Sequence, residues 1–296
     1  MRNLNLDILD PSKITFIPYL SSPFDERASF KEFIELNRSN NAELMNCKKF
    51  KIGSLSCNYN NLTDEISTVL FESLCLISVD VLDLSNAKLN EKSLLSVFNI
   101  LRLNKSLLIL NLTSSLDKVE SFVQITNSDK DVFSQHEEEK IRKNIKMNRL
   151  LFDVMESNLK ILNLSNNSLS IYKLKLFKNI IRANKLSYLD ISYCQLHLDQ
   201  FKSLFKWIGH NSYLKALNLT GNKLSSQSFT YLCSYLSTCL NLEFLNLSNT
   251  GIGEYNFDEF NMSVKSNSSL KHLFLNNNSF INNGNIKMKD RIFQVN

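Results

Sequence analysis

Leucines alternate with polar residues in short segments that recur down the chain. The pattern LxxLxLxxNxL is clearest from Leu159 to Leu169 and from Leu214 to Leu224. Further copies begin at Ile52, Val79, Leu107, Leu186, Leu242 and Leu270. Successive copies start 27 or 28 residues apart, except for one gap of 52. Alternation with a period of two predicts a short strand with one buried face in each copy.

The second half of each unit has the spacing of an amphipathic helix, as in Phe201, Leu204, Phe205 and Ile208. One strand–helix unit cannot bury both faces alone, so neighbouring units must stack. Strands stack about 4.8 Å apart, whereas helices need about 8–10 Å. We therefore expect a bent stack with a concave parallel sheet and convex helices. The sequence predicts one right-handed α/β solenoid, or horseshoe, instead of the two domains that its length suggests.

The 28-residue period with a full helix resembles the leucine-rich repeats of the ribonuclease-inhibitor type. The residues at the Asn position of the pattern are Asn60, Ala87, Ser115, Asn167, Cys194, Asn222, Thr250 and Asn278. From Asn167 onward Asn alternates with a small residue, which resembles the two alternating repeat types of that family. The Asn-, Lys- and Phe-rich repeats also resemble leucine-rich-repeat effectors that intracellular bacteria deliver into eukaryotic hosts.

We expect one domain with three parts. All three prolines lie within the first 23 residues and a capping-box pattern follows at Ser29–Glu32, so residues 1–49 are predicted to form an N-terminal cap. Residues 50–280 would hold about eight repeats, and residues 281–296 a C-terminal cap. The long gap implies an insertion near residues 115–136. A solvated loop and a binding loop are equally good interpretations of it.

Composition narrows the class of function. Hydrophobic residues are 43% of the chain, and no apolar run is long enough for a membrane helix. The net charge is +5, but 29 acidic residues are interspersed with 34 basic ones, which does not indicate nucleic-acid binding. The six cysteines form no CxxC. We expect a reducing compartment, either the cytoplasm or, for a secreted effector, the cytosol of a host cell.

No signature of catalysis is recognisable. The six glycines form neither GxGxxG nor a phosphate-binding loop. His136 and Glu137 begin like HExxH, but Lys140 stands where the second metal ligand would be. No set of nucleophile, base and orienting residue can be assembled. We therefore expect no enzymatic activity, no metal and no cofactor.

Three positions of each strand should point away from the core, onto the concave face. The first of them becomes apolar or aromatic in the middle and late repeats, while the face carries almost no Lys or Arg. Exposed apolar side chains in a row indicate a protein-binding patch, although they could also simply pack across the sheet. We expect Tyr188, Phe244 and Phe274 to be anchors. The predicted contact residues are Tyr59, Asp83, Ile109, Ile161, Tyr188, Asp190, Tyr193, Phe244, His272 and Phe274.

These patterns favour a non-enzymatic module that holds a protein partner in the concave face, with Asp83 and Asp190 complementing a basic feature of the partner. The ribonuclease-inhibitor resemblance implies a steric inhibitor that covers the active site of an enzyme. The effector resemblance implies that the partner is a host protein or another effector. An adaptor is equally compatible. Two alternatives remain, a regulator of a small GTPase and an enzyme formed by the insertion.

Overall fold

The computed structural model describes residues 51–57, 74, 78–119, 156–183, 185–253, 257–279 and 292–294. Strands in these ranges form one parallel sheet in which the order along the chain is also the order in space. The strands are β1 Lys51–Ser56, β2 Ser78–Asp83, β3 Ile109–Asn111, β4 Ile161–Asn163, β5 Tyr188–Asp190, β6 Ala216–Asn218, β7 Phe244–Asn246, β8 His272–Phe274 and β9 Ile292–Gln294.

Helices alternate with the strands, as the change of period from two to 3.6 predicts. The helices of the described ranges are α1 Glu91–Leu103, α2 Ile171–Leu176, α3 Lys178–Arg182, α4 Leu198–Ile208, α5 Ser226–Thr238 and α6 Phe257–Ser266. Helix α4 packs against α3 and α5, and α5 packs against α6. The predicted α/β solenoid is confirmed, because each unit contacts mainly its neighbours in sequence.

Polar residues at the helix starts explain where several helices begin. The side chain of Asn90 accepts a hydrogen bond from the backbone N–H of Ser93, and the Ser93 hydroxyl accepts one from the backbone N–H of Asn90. This reciprocal capping box satisfies two donors that the first turn of α1 would otherwise leave free. Ser225 caps α5 with a single hydrogen bond in the same way.

The core lies between the sheet and the helices. The middle leucine of each strand from β3 to β8 is buried, and the parallel register places these leucines side by side, as with Leu217 and Leu245. Helix residues close the other side with fully buried phenylalanines, of which Phe229 and Phe260 have ring centroids 5.7 Å apart. Burial of one such side chain contributes about 1.5–3 kcal/mol. The apolar stripe predicted for α4 is confirmed, since all four of its residues are buried.

A ladder of buried asparagines joins neighbouring units after every second strand, from β4 to β8. The Asn222 carboxamide oxygen accepts from the N–H groups of Cys194 and Leu196 in the preceding unit, and its nitrogen donates to the carbonyls of Ile191 and Leu219. Asn167 and Asn278 bridge their units in the same manner. In the alternate units the shorter Cys194 and Thr250 stand at this position and donate to backbone carbonyls.

The predicted N-terminal cap and most of the C-terminal cap and of the predicted insertion lie outside the described residues. Of residues 115–136, the structure describes 115–119, where Ser115, Leu116 and Val119 are buried as part of the repeat. Strand β9 lies within the predicted C-terminal cap and pairs with β8. The sheet thus has one more strand than the eight repeats of the sequence pattern.

Candidate partner-binding face

We call the side of the sheet that faces away from the helices the strand face. Its residues form three columns, because the parallel register places the same repeat position of neighbouring strands side by side. The first column is Val81, Ile109, Ile161, Tyr188, Ala216, Phe244 and His272. The second is Asp83, Asn111, Asn163, Asp190, Asn218, Asn246 and Phe274. The third is Ser85, Thr113, Ser165, Ser192, Thr220, Ser248 and Asn276.

The first column carries the most exposed aromatic side chain of the three columns. Phe244 is 41% exposed and stacks on His272, with ring centroids 4.3 Å apart and an interplanar angle of 9°. The rings pack across the sheet, yet one face of the pair remains open to solvent. The other members of the column are half-buried.

Tyr188 is tied to the second column. Its hydroxyl donates to Oδ2 of Asp190 over 3.2 Å. Burial raises the pKa of Tyr188 to about 12, and the negative charge of Asp190 adds to the shift. The Tyr188 hydroxyl therefore stays protonated, and its hydrogen bond to Asp190 fixes the orientation of the ring.

Both carboxylates of the face form hydrogen bonds within the chain. Asp190 is only 8% exposed, and its oxygens accept from the N–H and hydroxyl of Ser192, from Tyr188 and from Nδ2 of Asn218. Asp83 accepts from the N–H of Ser85 and the hydroxyl of Ser56. These residues hold the turns that follow their strands, and Asp190 offers a partner little surface.

The asparagines of the second column stabilise the same turn with a carboxamide oxygen in place of the carboxylate oxygen. Oδ1 of Asn163 accepts from the N–H of Ser165 over 2.9 Å, and Oδ1 of Asn246 accepts from the N–H of Ser248 over 3.0 Å. The carboxamide oxygen is thereby occupied and the NH₂ group is left as a donor. Within the described part of the chain, Nδ2 of Asn111, Asn163 and Asn246 has no hydrogen-bond partner.

Tyr193 follows the third column, and its ring packs against a glycine of the next repeat. It is 49% exposed, and its ring lies over Gly221, where a Cβ would collide with Cδ1 and Cε1 of the tyrosine. Gly221 also has φ +75°, a conformation that favours glycine. The sequence identified Tyr193 but not this support. The predicted contact residue Tyr59 lies outside the described residues.

Lysines line the edge at which the strands begin, outside the three columns, which themselves contain no Lys or Arg. Lys160, Lys215 and Lys271 are exposed and stand one residue before β4, β6 and β8. The sequence pattern missed them because only three columns were taken to point outward. The backbone N–H of Lys215 donates to Ser187, so this residue also belongs to the sheet ladder. The recurrence of lysine in alternate repeats was the available signal.

Glu243 occupies the corresponding position before β7 and joins two of these lysines. Its carboxylate lies 2.9 Å from Nζ of Lys215 and 2.7 Å from Nζ of Lys271. The hydrogen bond from Lys271, followed by that from Lys215, lowers the pKa of Glu243 to about 2. We call Lys160, Lys215, Glu243 and Lys271 the lysine edge.

An open groove of about 310 Å³ adjoins the lysine edge. Besides Lys215, Glu243 and Lys271, it is lined by Tyr213 and by Leu240, which is 74% exposed. Charged and apolar surface are thus adjacent at this edge.

In the described ranges, metal-ligating side chains are not clustered and three of the cysteine thiols are buried. No three His, Cys, Asp or Glu side chains there are placed to hold a metal ion. Burial raises the pKa of the Cys57, Cys194 and Cys233 thiols to about 12, which keeps these thiols protonated and unreactive. Among the helices described, none is both long and apolar enough to cross a membrane.

Comparison with known proteins gives a match to a family model and a weakly similar solved structure. A search of curated proteins found no match to the sequence. The crystal structure of an internalin from Listeria monocytogenes is similar, with 14% identity, 86% of this chain and 83% of that chain covered, and a TM-score of 0.33. A likeness at that level carries no inference about function. The Leucine Rich Repeat family model matches residues 158–180. Together with the stacked strand–helix units, this match supports a leucine-rich-repeat protein.

Proposed function

We propose that this chain is a non-enzymatic protein-binding module that holds a partner protein against the strand face. The stacked pair of Phe244 and His272 carries the proposal, because it leaves an aromatic surface open on a face whose polar groups are otherwise ordered by hydrogen bonds. Rigid, partly exposed aromatic side chains are the residues that contribute most to the stability of protein interfaces.

The contact surface would centre on the first column. Tyr188, Phe244 and Phe274 are the proposed anchors, and the half-buried Ile109 and Ile161 extend the apolar surface toward earlier repeats. Preorganisation favours binding because little side-chain entropy remains to be lost. The remaining proposed contact residues are Tyr59, Asp83, Asp190, Tyr193 and His272.

Asp190 contributes to this surface mainly by positioning, since its carboxylate holds the Tyr188 hydroxyl. Removal of that carboxylate would free the Tyr188 ring and leave the N–H of Ser192 without its acceptor. We therefore expect substitution of Asp190 to weaken binding indirectly, by changing the position of Tyr188.

A partner lying across the sheet could be a whole domain. Nine strands at about 4.8 Å spacing span roughly 40 Å, which matches the width of a small protein. A domain held over that length would have much of one side covered. The finer role that we propose is steric inhibition of a partner enzyme in the cytosol, with the host cell as the setting if the chain is a secreted effector.

Photocrosslinking tests the proposal directly. A benzophenone amino acid would replace Phe244 on the strand face or, as a matched control, Met262 on α6, where the side chain is also exposed. We expect a discrete crosslinked partner from position 244 and none from position 262. Phe244→Ala should weaken the purified complex by about tenfold or more if this ring is an anchor. Equal crosslinking at both positions, or unchanged affinity of Phe244→Ala, would show that the strand face is not the binding surface.

A further inference from the structure

In the second column of the strand face, the side-chain groups that remain without a hydrogen bond are largely NH₂ donors. The carboxamide oxygens of Asn163 and Asn246 are bound to their own turns, whereas their NH₂ groups have no partner in the described ranges. The carboxylate oxygens of Asp190 are also occupied within the chain. A partner that matches this surface must therefore supply acceptors.

Positive charge at the lysine edge exceeds negative charge. Nζ of Lys160 has no partner in the described part of the chain, and Glu243 is one carboxylate shared between Lys215 and Lys271. Nearby, Nζ of Lys105 and Nζ of Lys185 both donate to the backbone carbonyl of Glu156, so two positive charges lie beside a residue with one negative charge. The edge is thus a positively charged rim beside apolar surface.

Spacing adds a geometric constraint. Lys160, Lys215 and Lys271 precede every second strand, since β5 and β7 lie between β4, β6 and β8. At about 4.8 Å per strand, the backbones of successive lysines are about 10 Å apart. A polyproline II segment rises about 3.1 Å per residue with three residues per turn, so that every third side chain returns to one face after about 9 Å.

We propose that the partner's contact segment is an acidic, polyproline-II-like stretch with a carboxylate at every third residue, laid across β4 to β8 along the lysine edge. This inference rests on the proposed function and specifies the chemistry of the partner. Carboxylates of the segment bind Lys160, Lys215 and Lys271, and an apolar side chain enters the groove beside Tyr213 and Leu240. The expected complement is opposite to the basic partner that Asp83 and Asp190 suggested from sequence alone.

Glu243 favours such a segment over a nucleic-acid strand. A polynucleotide carries a phosphate at every nucleotide, so one phosphate would face the Glu243 carboxylate. A peptide with neutral residues between its acids can pass Glu243 without that repulsion. The same argument predicts that removal of the Glu243 charge strengthens binding, because both lysines then become available.

The probe is a fluorescein-labelled peptide of three Glu-Pro-Ala triplets, with affinity read from fluorescence anisotropy at low salt. We expect saturable binding that Lys215→Glu/Lys271→Glu weakens by at least about tenfold, through loss of two pairs and gain of two repulsions. Lys202→Glu/Lys206→Glu makes the same change of charge at exposed positions of α4 and should leave the affinity unchanged. Glu243→Gln should tighten binding, a result that general destabilisation would not produce.

Several outcomes would overturn the inference. One is absence of peptide binding, and another is equal loss in the two double variants. A third is equal binding of a composition-matched peptide whose three glutamates are consecutive, because it would remove the spacing argument. Stronger binding of a single-stranded oligonucleotide would assign the edge to phosphate. If Lys215→Glu/Lys271→Glu does not melt like the wild type, Lys160→Glu takes its place.

The two proposals fail separately. Loss of peptide binding with continued crosslinking from position 244 would refute the acidic segment and leave the protein-binding function standing. Peptide binding without any crosslinked protein would place the contact at the edge alone and refute the role of the aromatic pair.

Discussion

At the scale of single residues, the placement of Tyr193 depends on Gly221. The two residues are 28 positions apart, and the tyrosine ring occupies the space above the glycine that any larger residue would fill. An exposed aromatic is useful for binding only if its position is defined, since ordering a free ring on binding costs entropy. Because Gly221 has no side chain, the Tyr193 ring can pack directly against it and is held in place.

Gly221→Ala should destabilise the protein more than Gly251→Ala. Both glycines have φ +75°, so each alanine carries a backbone cost of about 1 kcal/mol. At Gly251 the new Cβ would meet only the flexible side chain of Lys223, with Cδ at 3.4 Å, whereas at Gly221 it would displace the Tyr193 ring. Urea unfolding of both variants measures the difference.

The double variant Tyr193→Ala/Gly221→Ala separates the clash from the backbone cost. We expect it to lose less stability than the sum of its single variants, because the alanine at 193 removes the collision. Strict additivity would mean that the ring does not rest on Gly221.

At the scale of elements, Glu243 couples the starts of β6, β7 and β8. Its two lysine partners come from the units before and after its own. The ordinary pKa of a glutamate is near 4.5, and the two hydrogen bonds lower it to about 2 here. Since the folded-state pKa is lower than that of the unfolded chain, these ion pairs stabilise the fold above pH 4.5. That stabilisation is lost as the pH falls through about 2.

An NMR titration of the Glu243 side chain should therefore give a pKa of about 2 in the wild type. Lys271→Met should raise this pKa more than Lys215→Met, because the hydrogen bond from Lys271 is the largest cause of the shift. The double substitution should bring the carboxyl close to the ordinary glutamate value. An unchanged pKa in either single variant would show that the corresponding pair does not form in solution.

At the scale of the whole molecule, buried hydrogen bonds join units that local packing alone would leave loosely coupled. Each ladder asparagine satisfies backbone groups in two units at once, and Asn222 is fully buried. Unfolding of one unit therefore exposes unsatisfied groups in the next. The stack should unfold cooperatively across these joints.

Asn222→Ala should lower the free energy of unfolding by about 3 kcal/mol, since it leaves buried N–H and C=O groups without partners. The amide protons of Cys194 and Leu196 should also exchange faster with solvent. Asn246→Ala is the control with a smaller expected effect, because this half-buried side chain accepts only one hydrogen bond, from the N–H of Ser248. Its expected cost is about 1 kcal/mol. Equal losses in the two variants would contradict a special role for the ladder.

Sequence by itself determined the repeating unit, the strand positions, the buried leucines and the apolar stripes of the helices. These features depend on side-chain periodicity within about ten residues, so local pattern is enough to predict them. The same periodicity places Tyr188, Phe244 and His272 in one column.

Only the tertiary structure decided which polar groups of the face are used internally and which remain available. The stacking register brings Glu243 to Lys215 and Lys271, and the Tyr193 ring over Gly221, across about one repeat. It also brings the Asp190 carboxylate into hydrogen bonds with Tyr188 and Asn218 of the same chain. Such pairings depend on distances between units and on the direction of each side chain. Neither is encoded in the spacing of residues along one unit.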